Sequence, residues 1–218
     1  MDSPEWFFLT LLRFLIPLAI LRWPLAGICM SIAADAVFSN MLGLPHGGFQ
    51  HYQIWDKVLD TYYLAIAAYT SYFWLDKQAR AVSLFSFGYR AIGVVLFLIT
   101  DNLSLLFLFP NFFENFFIFY LLFRKFAPGK QLFSSVGMFI AIITSLLIPK
   151  LTQEYFMHVA FIRLDNILQI NVELWPTSLN VASTLQWILY FVPPILVLLW
   201  RLHVTPRLAV KRSRRHTK

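Results

Sequence analysis

Apolar runs of about twenty residues recur along this chain, divided by short charged turns, and no other feature constrains its fold as tightly. A helix of that length rises about 30 Å, the thickness of a bilayer's hydrocarbon core. The runs extend from about Trp6 to Leu21, Pro24 to Leu42, Ile54 to Leu75, Ala81 to Thr100, Leu103 to Phe123, Leu132 to Ile148 and Val181 to Trp200. Between the second and third lies a polar loop, Leu44 to Gln53, with His46 and His51 beside its glycines. The segment Glu154 to Asn171 has a helical pattern but carries Glu154, His158, Arg163 and Asp165, and reads as an interfacial or re-entrant helix. Pro193-Pro194 predicts a kink in the last run.

Composition supports a lipid solvent. Of the 218 residues, 59% are hydrophobic and 13% charged, about half the charge of an average soluble protein. So few charges would not cover a water-exposed surface. The expected fold is all-α, a multi-pass transmembrane helix bundle over residues 1–200 followed by a basic cytoplasmic tail, 201–218. One cysteine, Cys29, excludes a disulfide framework and a Cys-rich metal site. Met1 to Glu5 is acidic and no small-residue cleavage site follows, so the first run reads as a retained helix.

Charge sets an expected orientation. Arg22, Lys77, Arg80, Arg124, Lys125, Lys130 and the tail fall on one side of a seven-span arrangement, with Asp2, Glu5 and Asp101 on the other. The positive-inside rule makes the first side cytoplasmic. The tail run Lys211-Arg212-Ser213-Arg214-Arg215 reads as an anchor on anionic headgroups; no nucleic-acid partner is expected. The abundant phenylalanines, such as Phe112-Phe113 and Phe116-Phe117, read as packing, with a pigment or quinone pocket as the alternative.

Charged side chains at membrane depth cost at least about 2.5 kcal/mol each and mark polar cavities or buried partners. The candidates inside the runs are Arg13, Asp35, Asp56, Asp60, Arg90 and Glu114. Asp56 and Asp60 are four apart and share one helical face. Asp35 closes the preceding run and can reach the same place. Three convergent carboxylates suit one hard divalent cation, Mg²⁺ or Mn²⁺. The plainer reading has Asp56 and Asp60 paired with Lys57 or water at the interface. Arg13 and Arg90 read as partners of the carboxylates or as snorkelling side chains, and Glu114 as facing the bundle interior.

With these residues in view, the first 75 or so positions resemble the CDP-alcohol phosphatidyltransferase family. Leu9-Thr10-Leu11-Leu12-Arg13 looks like the family's opening helix. Its D-x2-D-G-x2-A-R-x8-G-x3-D-x3-D pattern, laid on without a gap, places Asp35, Asp56 and Asp60 on the first, third and fourth aspartates. Phe38 stands at the second aspartate, Ser39 and Tyr52 at the glycines, and Gly43 at the arginine. The resemblance implies a six-helix plan, here with an added C-terminal span, and a cytoplasmic site, whereas the charge bias puts Asp56 on the other side. It also implies metal ligation by Asp35, Asp56 and Asp60, with Asp60 as the base on the acceptor hydroxyl.

Phe38 and Gly43 remove a metal ligand and a diphosphate clamp, so standard transfer is not expected. The expected function is binding of a lipid or isoprenoid headgroup together with a cation. The alternative is a non-enzymatic accessory subunit that packs lipids or pigments in a larger membrane complex. Expected partners are membrane lipids and possible neighbouring membrane subunits. An ion-relay transporter is the third class; no inverted repeat supports it.

Overall fold

The computed structural model describes residues 4–41, 48–158, 188 and 191–203, and side chains within 7–35, 54–155, 188 and 191–203. These residues form helices joined by turns, with no strand among them. Helix α1 (Pro4–Leu15) passes into a 3-10 turn (Ile16–Leu21) and is followed by α2 (Pro24–Met41), α3 (Gly48–Tyr72) and α4 (Lys77–Thr100). Then come the short α5 (Ser104–Leu108), α6 (Phe112–Phe126), α7 (Val136–His158) and α8 (Phe191–His203). Three stretches are long and apolar enough to cross a membrane: Lys77–Thr100, Ser104–Phe126 and Val136–Tyr155. Phe7–Leu21, Pro24–Asp35 and Phe191–His203 are shorter apolar helices.

Local chemistry sets the boundaries. Pro17 lacks an N–H and cannot carry the α1 ladder onward, so the chain tightens into the 3-10 turn. That turn packs against α2 at Gly27, where any Cβ would run into the backbone of Ala19 and Ile20. Asp76 caps α4, its Oδ1 accepting from the N–H groups of Gln78 and Ala79 at 3.1 Å. At the far end Asp101 turns left-handed (φ 54°) and stops the helix.

The fifth apolar run is one stretch in composition but two helices in structure. Pro110 breaks it between α5 and α6, because its ring removes a donor and blocks the ladder. Arg90 of α4 takes the carbonyls released by the break, Nη1 donating to Leu106 O at 3.0 Å and Phe109 O at 2.7 Å. Gly93, one turn on, leaves room for the Phe109 side chain.

Helix α6 is central. Phe112, Phe113, Phe116, Phe117, Phe119 and Phe123 are all buried, and Trp74 lies over Phe117 and Tyr120 with ring centroids at 5.4 and 4.0 Å. The phenylalanines thus form the packing core. Helices α4 and α7 each pack on α6 and not on each other. The space left between them is an apolar groove of about 710 Å³.

Several sequence boundaries shift. Residues 48–53 of the expected polar loop belong to α3, while 44–47, including His46, lie outside the described residues. Glu154 to His158 continue α7 past Pro149 and do not begin a separate interfacial helix; the rest of that segment, 159–171, lies outside the described residues. The reason is that Glu154 turns inward to polar partners. Pro193 and Pro194 lie in the described stretch Phe191–His203, while residues 189 and 190 just before it lie outside the described residues, and with them the approach to the expected kink. The start of that run, 181–187, and the tail from 204 onward are likewise outside the described residues.

Candidate functional site

Helices α1, α2 and α3 bring together four of the six charges singled out in the sequence: Arg13, Asp35, Asp56 and Asp60. Asp56 and Asp60 stand one turn apart on α3, and Asp35 approaches them from α2. One carboxylate oxygen from each of the three lies within 4.8 Å of the others. Between them sits the Arg13 guanidinium, carried in from α1. Its Nη1 is 3.1 Å from Asp56 Oδ1, and its Nη2 is 2.9 Å from Asp60 Oδ1 and 2.6 Å from Asp35 Oδ1. The Asp35 contact is an ion pair without a directed hydrogen bond. The guanidinium fork, with its several fixed donors, is the side chain best suited to hold three carboxylates at once.

Lys57 binds the same two α3 carboxylates from the other side. Its Nζ is 2.8 Å from Asp56 Oδ2 and 3.0 Å from Asp60 Oδ2. Asp56 and Asp60 therefore each carry Arg13 on one oxygen and Lys57 on the other. Arg13, Asp56 and Lys57 are buried, Asp35 and Asp60 partly so. Counted as ionised, the three carboxylates exceed the two cations that touch them among the described residues by one unit of charge, an arrangement that low dielectric makes expensive unless something offsets it.

The triad could hold a metal ion by ligand type and spacing. A divalent ion needs six or more oxygens at about 2.0–2.6 Å. With Arg13 in the centre and Lys57 beside it, such an ion would stand where the guanidinium stands. The residues therefore fit a metal only if Arg13 withdraws.

A second polar network runs from α3 through the start of α6 to α7. Tyr63 donates its hydroxyl to Glu114 Oε1 at 2.7 Å, and Asn111 Nδ2 donates to Glu114 Oε2 at 2.8 Å. The Asn111 N–H donates to Glu154 Oε1 at 3.1 Å, which Lys150 Nζ also meets at 3.0 Å. Lys150 further donates to Gln153 Oε1 at 3.0 Å. All of these side chains are buried.

No protein-family model, curated protein or solved structure matches this chain. The resemblance to the phosphatidyltransferases rests on the aspartate spacing and the opening helix alone.

Asp35, Asp56, Asp60 and Arg13 thus share one centre. Arg90 serves the helix break, and Glu114 belongs to the second network. Sequence reasoning weighed Lys57 only as the plain alternative, yet it bridges both α3 aspartates. Asn111, Lys150 and Glu154 were not singled out as partners. The available signal was the Lys150–Glu154 spacing of four, which puts opposite charges on one helical face.

Proposed function

We propose that the protein is a multi-pass membrane protein whose Arg13–aspartate centre binds a divalent cation together with a monoanionic lipid headgroup. The observation that carries this reading is the charge of the centre, with Arg13 poised between Asp35, Asp56 and Asp60. A divalent cation alone would turn one excess negative charge into one excess positive charge. A phosphodiester alone would double the negative charge. Both together bring the centre to neutrality, so each should favour the other. Arg13 is the natural exchange element: a phosphate draws the guanidinium out, since arginine binds phosphate and carboxylate with the same fork, and the cation takes its place among the carboxylates.

The test is Mn²⁺ binding, followed by paramagnetic resonance, in nanodiscs of phosphatidylcholine with and without short-chain phosphatidylglycerol. Tighter Mn²⁺ binding with phosphatidylglycerol, lost in Asp60→Asn, supports co-binding. Equal enhancement in Asp60→Asn would assign the effect to the lipid surface and reject it. Absence of Mn²⁺ binding under both conditions favours the second reading, in which the centre staples α1, α2 and α3 of a non-enzymatic membrane subunit. The contact of Arg13 with all three carboxylates supports that reading.

A further inference from the structure

The groove between α4 and α7 shares no lining residue with either polar network, although Pro110, Phe112 and Leu151 at its far end flank Asn111 and Lys150, and it takes no part in the function proposed above. Gln78, Phe85 and Tyr89 line it from α4 at helical spacing. From α7 come Phe139, Ile143, Leu147 and Leu151, each one turn from the last. Its polar groups are few, and two are already engaged: Tyr89 donates to Leu108 O at 3.0 Å and Ser86 to Val82 O at 2.6 Å. The walls therefore ask for hydrocarbon. Both are helices apolar enough to cross a membrane, so the groove's mouth opens to acyl chains and not to water.

Length and charge narrow the occupant. Gln78 to Tyr89 spans about 16 Å of helix, close to half of a hydrocarbon core of about 30 Å. The groove is thus one leaflet deep. Its Gln78 end lies at the α3–α4 turn. The α6–α7 turn is at the same end, since the Trp74 and Tyr120 rings pack with centroids 4.0 Å apart and Phe133, Ala79 and Phe123 share one core. These two turns carry Lys77, Arg80, Arg124, Lys125 and Lys130. The acidic group there, Asp76, is spent on capping α4.

We propose that this groove is a specific site for an acyl chain of an anionic glycerophospholipid, whose phosphate meets the basic turns. It rests on α4 and α7 spanning a bilayer and is independent of the Arg13 centre. Asp60 stands about 18 Å along α3 from the turn at Tyr72, so the two sites occupy different depths.

The experiment reconstitutes the full chain in nanodiscs of phosphatidylcholine doped with either phosphatidylglycerol or phosphatidylcholine bearing a diazirine on the acyl chain. After irradiation, adducts are mapped by mass spectrometry. Adducts from the phosphatidylglycerol probe should concentrate at Phe85, Tyr89, Ile143 and Leu147, and Ile143→Trp should remove them. Lys77→Gln and Lys130→Gln should each lower the preference for phosphatidylglycerol by about fivefold, the worth of roughly 1 kcal/mol per basic residue near anionic lipid. Asp60→Asn should leave the pattern unchanged, which separates this site from the cation centre. Adducts spread equally over other exposed positions of α4, such as Ile92 and Ile99, would reduce the groove to ordinary annular lipid. Equal labelling of the groove by both probes would overturn the anionic assignment. Both outcomes are read on the unmodified protein, so a misfolded variant does not obscure them.

Discussion

Arg13 and Asp60 stand 47 positions apart in the chain and 2.9 Å apart in the fold. Through that contact and its two companions, α1 is held to α2 and α3 by charge as well as by packing. Replacing Arg13 with Met takes away the one guanidinium that touches all three carboxylates and leaves Lys57 to face Asp56 and Asp60. Breaking a buried pair in this way costs about 3–5 kcal/mol. Arg13→Lys should recover only part of that loss, because an ammonium cannot fork across three acceptors. Unfolding curves in mild detergent should rank the native chain above Arg13→Lys, and Arg13→Lys above Arg13→Met. Asp35→Asn placed on Arg13→Met should restore some stability by removing a carboxylate. If Arg13→Met unfolds no earlier than the native protein, the centre is not a structural tie.

Two glycines make a paired test of the packing. Gly27 sits where a Cβ would overlap the backbone of Ala19 and Ile20, while a Cβ at Gly88 meets nothing within 4 Å. Gly27→Ala should therefore push α2 off the 3-10 turn, an overpacking cost of about 1–3 kcal/mol. Gly88→Ala should stabilise α4 by up to about 1 kcal/mol, the difference in helix propensity. Opposite shifts in midpoint temperature are expected; shifts of the same sign would mean that α2 and the 3-10 turn are not in close contact.

Asp56 and Asp60 announce a common helical face by their spacing, and Asp35 sits at the end of the preceding apolar run. Their convergence was legible for those reasons. That Arg13 occupies their centre was not, because an arginine in an apolar run has many possible partners and only the crossing of α1 over α3 selects these. The helices themselves follow from hydropathy, since long apolar runs have few other ways to satisfy their backbone groups. What hydropathy missed is the break at Pro110. An apolar average runs through a proline without noticing it, although Pro110 lacks the donor that a continuous helix needs. Glu154 misled for the opposite reason. It looked like the polar start of a surface segment, whereas it is the buried acceptor for Asn111 and Lys150.

Arg90 gives that break a measurable consequence. Its guanidinium supplies hydrogen bonds to Leu106 O and Phe109 O, carbonyls that the α5–α6 discontinuity would otherwise leave unmet. Arg90→Met keeps the apolar stem and removes the donors. Each buried acceptor left unsatisfied costs about 1–3 kcal/mol. Amide hydrogen exchange across residues 104–112 should quicken in this variant while the middle of α4 stays protected. Unchanged exchange in that stretch would show that the carbonyls find other donors and that Arg90 is dispensable.

The aspartate spacing invites an assay that we expect to be negative. Purified protein given CDP-diacylglycerol, a simple alcohol acceptor and Mg²⁺ or Mn²⁺ should release no CMP above background. Transfer of a phosphoryl-type group depends on positioned donors and cations that neutralise developing charge. Phe38 stands where the resembled pattern has a metal-binding aspartate, and Gly43 where it has an arginine. Neither can ligate a metal or clamp a diphosphate. The carboxylates that remain are engaged by Arg13 and Lys57, and Asp60 is held in ion pairs with both. Phe38→Asp with Gly43→Arg restores the missing side-chain types, and CMP release gained only in that double variant would identify the fold as a transferase scaffold that has lost its chemistry. Turnover by the native chain that disappears in Asp56→Asn would instead show that Arg13 yields its place to metal during a working cycle, and the prediction of inactivity would be wrong.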